Sequence, residues 1–64
     1  MQYMRIRVRE VREARRMSLR ELAEKAGVNW SAIHRIEKGK DPLLSTLEKL
    51  ARALGVKVKT LIDE

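Results

Sequence analysis

The side chains of this chain that could carry chemistry are few of the reactive kinds and many of the cationic. There is no cysteine and a single histidine, His34. Disulfides and thiolate metal sites are thereby excluded, and one imidazole cannot make a His-based metal site alone. No carboxylate pair, no nucleophile beside a base and no glycine-rich loop fit to cradle a phosphate stands out, so no enzyme, cofactor or small-molecule substrate is expected. What remains is charge and hydrogen bonding. Fifteen Lys and Arg against nine Asp and Glu give a formal net charge of +6, which points to an anionic partner. The excess is uneven: residues 1–40 hold eleven Lys and Arg against five acids, and residues 41–64 hold four of each. One side is expected to face phosphate and the other protein.

Those charges need elements to aim them, and the chain is organised around residues 19–38, where two short amphipathic helices meet at Gly27. Ser18 and Glu21 have the spacing of a capping box, and Met17 and Leu22 that of the accompanying hydrophobic staple, so a helix is predicted to start at Leu19. Leu19, Leu22, Ala23 and Ala26 form its apolar stripe, with Arg20, Glu24 and Lys25 turned to solvent. Gly27 can take the left-handed conformation that reverses the chain. Asn29 is a good N-cap, with Val28 and Ile33 at staple positions, so a second helix is predicted from Trp30 to about Lys38, stopped by Gly39. At about 100° per residue, Asn29, Ile33 and Ile36 fall on one side of it. Ser31, Arg35 and Lys38 point the other way, with His34 beside them and Trp30 on a flank.

Sixty-four residues make one domain, 1–64, only just large enough to bury a core. Apolar runs are short and no signal-peptide pattern opens the chain, so a cytoplasmic protein is expected. Residues 1–4 carry no helix signal and are expected to be loose. Residues 3–9 alternate apolar and charged like a strand, but a lone strand would have nothing to pair with, so a helix over residues 5–16 is predicted instead. Lys40, Asp41 and Pro42 form a loop. A helix then starts between Leu43 and Ser45, where Ser45 and Glu48 repeat the capping-box spacing, and ends at Gly55. A short fifth helix is predicted over residues 58–63. The predicted core is Val8, Val11, Leu22, Ala23, Ala26, Val28, Ile33, Ile36, Leu47, Leu50, Leu54, Val56 and Leu61. Tyr3, Met4, Leu43, Leu44, Val58 and Ile62 are apolar beyond what so small a core needs, and an interface is expected there.

The blocks VREVRE, MSLRELAEKAGV, SAIHRIEKGKDP and LEKLARALGVKVKTLI together resemble the Cro and phage-repressor-like, or XRE, helix-turn-helix family of DNA-binding domains, from Val8 to Ile62. The resemblance implies an all-α, compact five-helix domain whose recognition helix enters the major groove. Two departures fall near the start of the helix at Leu19. Arg16 stands where a helix-ending glycine is common, and Leu19 where a DNA-contacting Gln is frequent.

On the family's pattern Trp30, Ser31 and Arg35 occupy base-contacting positions. Arg35 can grip guanine O6 and N7 with two N–H groups, or remain a solvated or phosphate-binding cation. Ser31 reads a base edge or a phosphate. Trp30, where a polar residue is commoner, covers thymine methyls or a sugar, shields the turn, or meets another protein. Ser18, Arg20, Asn29, His34, Lys38, Gly39 and Lys40 are assigned to the DNA backbone, through helix N-terminal N–H groups, a loop N–H and charge. Arg20 is equally readable as a solvated charge, and Arg5, Arg7 and Arg9 as a phosphate clamp or a solvated face. Arg12 and Glu37 match two family positions that form a partly buried ion pair; two solvated charges is the alternative.

The function implied is a sequence-specific regulator of transcription, chiefly a repressor that occupies a palindromic operator on double-stranded DNA as a homodimer. The antitoxin of a toxin–antitoxin pair and a coactivator-like protein-interaction module are the alternatives. A membrane peptide is disfavoured, because capped helices bury their apolar stripes against one another.

Overall fold

The two helices of the segment 19–38 take their boundaries from local capping chemistry. The structure, a computed structural model, describes residues 5–63, so the expected loose start over residues 1–4 lies outside it, as do Tyr3 and Met4. Within that range run β1 (Arg5–Ile6), α1 (Val8–Ala14), α2 (Leu19–Ala26), α3 (Trp30–Glu37), α4 (Leu44–Leu54), a 3-10 turn (Val58–Leu61) and β2 (Ile62–Asp63). The α2 capping box is complete: Ser18 Oγ accepts from the Glu21 N–H at 3.0 Å, and Glu21 Oε1 accepts from the Ser18 N–H at 2.8 Å. Gly27 closes α2 at φ 68°, a left-handed conformation open to glycine at little cost. Only one non-glycine among the described residues has positive φ, Arg16 at 55°. It stands where the family commonly has glycine, so the backbone demand is met here by a side chain that disfavours it.

Three expectations need correcting. The first helix begins at Val8, not Arg5, because residues 5 and 6 are a strand. β1 and β2 pair antiparallel, Arg5 with Asp63 and Ile6 with Ile62, and the Arg7 N–H donates to the Leu61 carbonyl at 2.7 Å. The alternation near the N-terminus therefore does mark strand, and its partner comes from the other end of the chain. The predicted fifth helix is a four-residue 3-10 turn, leaving four α-helices among the described residues. Lys57 supplies no side-chain cap, and Ile62 and Asp63 are drawn into β2 instead of a further helical turn. Finally, α4 is preceded by Leu43 as N-cap with no side-chain hydrogen bond, so Ser45 lies inside the helix and does not cap it.

The core sits where α1, α2, α3, α4 and the 3-10 turn converge. Its buried side chains are Val8, Leu22, Ile33, Ile36, Leu47, Leu50, Ala51, Leu54 and Leu61. Val11, Ala23, Ala26, Val28 and Val56, expected in the core, pack against it only partly buried, and Ala51, absent from the predicted list, joins it from the apolar face of α4. Burying a Leu or Ile contributes roughly 1.5–3 kcal/mol. This core holds α2 against both α3 and α4, which sets the direction in which α3 presents its outer face.

Candidate nucleic-acid interface

Ile33 and Ile36 anchor α3 on the core, so the residues out of phase with them stand in solvent. Trp30 is 51% exposed, and His34, Arg35 and Lys38 are exposed too; Ser31 is half-buried at the helix start. The Trp30 and His34 rings, one turn apart, lie 6.3 Å between centroids at 55°. Asn29 caps the helix: its Oδ1 accepts from the Ser31 N–H at 3.0 Å and from the Ser31 hydroxyl at 2.9 Å. Arg35 makes no side-chain hydrogen bond or ion pair among the described residues and borders a groove of about 130 Å³ with Ala32, Lys40, Pro42 and Leu43. A free guanidinium, a hydroxyl and an indole on one convex helix can hydrogen-bond and pack against a base-pair edge.

Of the residues assigned to the DNA backbone, Ser18 and Arg20 lie at the start of α2, Asn29 and His34 on α3, and Lys38, Gly39 and Lys40 in the turn that closes it. At the start of α2, Ser18 and Arg20 are exposed. The Ser18 N–H is engaged by Glu21, so the first-turn N–H groups left without an intrachain acceptor are those of Leu19 and Arg20. The bonds from Ser18 hold the Glu21 carboxyl below its ordinary pKa, its backbone N–H contributing most. After α3 the Gly39 N–H, expected as a loop donor, is spent on the Ile36 carbonyl at 3.0 Å, and the Lys40 N–H on the Arg35 carbonyl at 3.0 Å. The turn closing α3 folds both inward, so the ammonium groups of Lys38 and Lys40 are the donors available there. Arg7 lies 3.4 Å from Glu10 and Arg9 lies 3.1 Å from Glu13, each on its own face of α1 in exposed pairs.

Arg12 and Glu37 face one another as a fork: Arg12 Nε donates to Glu37 Oε2 at 2.8 Å and Nη2 to Oε1 at 3.1 Å. Their side chains are 12% and 5% exposed. A third Arg12 nitrogen, Nη1, donates to the Met17 carbonyl at 2.8 Å. One guanidinium thus ties α1 to both the α1–α2 turn and the last residue of α3. Donating to the Glu37 carboxylate raises the Arg12 pKa above its ordinary value, against the opposing effect of burial. Sequence reasoning missed Arg15, whose Nε donates to the Leu54 carbonyl at the end of α4. A cation at a helix C-terminus satisfies a carbonyl with no intrahelical partner, but nothing local placed Arg15 beside α4. No group of His, Asp and Glu able to hold a metal occurs among the described residues.

The sequence pattern of the helix-turn-helix family matches residues 8–61. The chain is 43% identical over 60 residues to the HTH-type transcriptional regulator SinR of Bacillus subtilis, covering 91% of this chain and 54% of that protein. It is 39% identical over 59 residues to the immunity repressor protein of Bacillus phage phi105, covering 91% of this chain and 41% of the repressor. The chain thus spans about half the length of the curated relatives it matches or less. Among solved structures, it superposes on SinR in a crystal structure with DNA at a TM-score of 0.81 and 42% identity, covering 86% of this chain and 90% of that one. The N-terminal DNA-binding domain of Bacillus subtilis SinR gives 0.82 at 43% identity, covering 91% and 87%.

Proposed function

The chain belongs to the helix-turn-helix family of the Cro and phage-repressor type, and from that premise we propose that it is a sequence-specific double-stranded DNA-binding regulator that represses transcription by occupying an operator. The observation that carries this is the division of α3: Ile33 and Ile36 are locked in the core while Trp30, His34 and Arg35 are exposed on a rigid, capped helix. A rigid helix with one buried face delivers side chains to base edges with little loss of entropy on binding. The exposed cations Arg20, in the first turn of α2, and Lys38 and Lys40, just after α3, supply attraction to phosphate that carries no sequence information. The regulator works in the cytoplasm, where its operators are.

It binds as a homodimer. Leu43 and Leu44 are 74% and 63% exposed, and Leu43 occupies a cap position without a polar side chain to offer. Two adjacent leucines in water beside the α3–α4 loop suit a surface that a second copy covers on a two-fold axis. Val58 and Ile62, grouped with them from the sequence, pack partly buried against the core, so among the described residues of that group the leucine pair is the exposed part.

Selection of bound DNA from a random pool at moderate salt tests the reading. A two-fold motif is the expected result. Uniform recovery of all sequences would overturn it in favour of a protein-interaction module. Sedimentation showing only monomer, free and on a palindromic site, would remove the dimer.

A further inference from the structure

The cap at the start of α3 controls which hydrogen-bonding groups the reading face has left to offer. Asn29 Oδ1 accepts the Ser31 backbone N–H at 3.0 Å. An N–H donor requires the carbonyl oxygen there, so the orientation of the Asn29 amide is set and its NH₂ points away from the cap. The Ser31 hydroxyl lies 2.9 Å from the same Oδ1. That oxygen bears no proton, so the hydroxyl must donate its only one.

We propose that the Asn29–Ser31 cap fixes the hydrogen-bond polarity of the reading face, so that Ser31 can only accept from DNA and reads an exocyclic amino group, adenine N6 or cytosine N4, in the major groove. The inference rests on the operator-binding reading and names the base class at one position of that site. In the major groove the amino groups of adenine and cytosine are the donors on base edges, whereas guanine N7 and O6 and thymine O4 accept. Turning the hydroxyl proton toward guanine or thymine would forfeit its bond to Asn29 and leave two lone-pair-bearing oxygens 2.9 Å apart. The neighbouring Asn29 NH₂, Trp30 indole N–H and Arg35 guanidinium all donate. Ser31 therefore supplies the acceptor among them, and on the strand it faces adenine or cytosine is favoured over guanine or thymine.

The test uses the full chain and the operator recovered by random-pool selection, comparing wild type with Ser31→Ala, Asn29→Asp and Asn29→Ala. The position addressed by Ser31 is the one whose preference Ser31→Ala erases. There, wild type should enrich adenine or cytosine on one strand. Replacing that base by purine or 2-pyrimidinone, which lack the amino group, should weaken wild-type binding roughly 2- to 10-fold per half-site, the range of a net hydrogen bond. The same replacement should leave Ser31→Ala unaffected. Asn29→Asp keeps an acceptor for both cap bonds, so it should retain the base preference even as its charge lowers affinity. Asn29→Ala releases the hydroxyl proton and should let guanine and thymine in, with thermal melts confirming that it folds. Guanine or thymine enriched by wild type, or an equal analogue penalty in wild type and Ser31→Ala, would overturn the inference while leaving operator binding intact. Enrichment of no motif would overturn both.

Discussion

Glu37→Gln removes one charge from the fork that joins α1 to the end of α3 and leaves the rest of the fork in place. Glu37 is 5% exposed and Arg12 12%, so the guanidinium left behind is largely cut off from water. The amide oxygen of Gln can accept one of the two N–H bonds, but it cannot balance the charge. Losing one partner of a buried pair costs about 3–5 kcal/mol. Because Arg12 also holds the Met17 carbonyl, part of that loss should appear as loosening of the α1–α2 turn. A domain of this size draws only about 3–5 kcal/mol from its core, so the variant should sit near the edge of unfolding at ordinary temperature. In a thermal melt followed by helical circular dichroism, a loss of about 3 kcal/mol corresponds to a fall of roughly 12–24 °C in the midpoint. Joint replacement by Arg12→Met and Glu37→Met should recover most of the loss, since no unpaired charge remains, but not all, because the Met17 carbonyl still lacks its donor. A change below about 0.5 kcal/mol for Glu37→Gln, the range of an ordinary surface site, would show the charges to be solvated and the fork dispensable.

Arg35→Ala should cost about 1–3 kcal/mol on the preferred operator and relax selectivity at one position of each half-site, whereas Lys40→Ala should weaken binding on every sequence and flatten the slope of log affinity against log salt by about 0.9 for each phosphate left without its cation. Salt titrations on operator and scrambled DNA separate the two, and equal losses on both DNAs for Arg35→Ala would make it a phosphate ligand. Arg16→Gly should stabilise the domain by up to about 1 kcal/mol, since it relieves a left-handed side-chain-bearing residue at the expense of a freer unfolded chain; a lower denaturation midpoint would contradict the backbone assignment. Glu21 has a folded pKa below its ordinary value of 4.5, so its capping contribution is present above that pH and fades as pH falls through the folded value. Melts of wild type and Glu21→Gln should therefore converge on acidification from neutral pH, and a constant gap would mean that the ionised carboxylate adds nothing to the cap.

How far each feature was legible depended on the range of the interaction behind it. The Ser18–Glu21 capping box, the left-handed turn at Gly27, the Asn29 cap and the burial of Leu22, Ile33, Ile36 and Leu50 were all readable from the chain. Each is settled by residues within a turn or two of one another, through side-chain oxygens, glycine's open backbone space and helical periodicity. The pairing of Arg12 with Glu37, 25 positions away, was legible only through family resemblance. Contacts between the two ends were not legible at all. Ile6 becomes strand because Ile62 arrives beside it, and that same pairing takes Ile62 and Asp63 out of the predicted fifth helix. Arg15 finds the Leu54 carbonyl, 39 positions on, only once α4 has packed across α2. At the reading face, the sequence by itself determined which side chains α3 would present. The spending of the Ser31 proton on Asn29, and of the Gly39 N–H on Ile36, was decided by the folded backbone, because a hydrogen bond depends on tenths of an ångström and on angles that residue types and spacing do not contain.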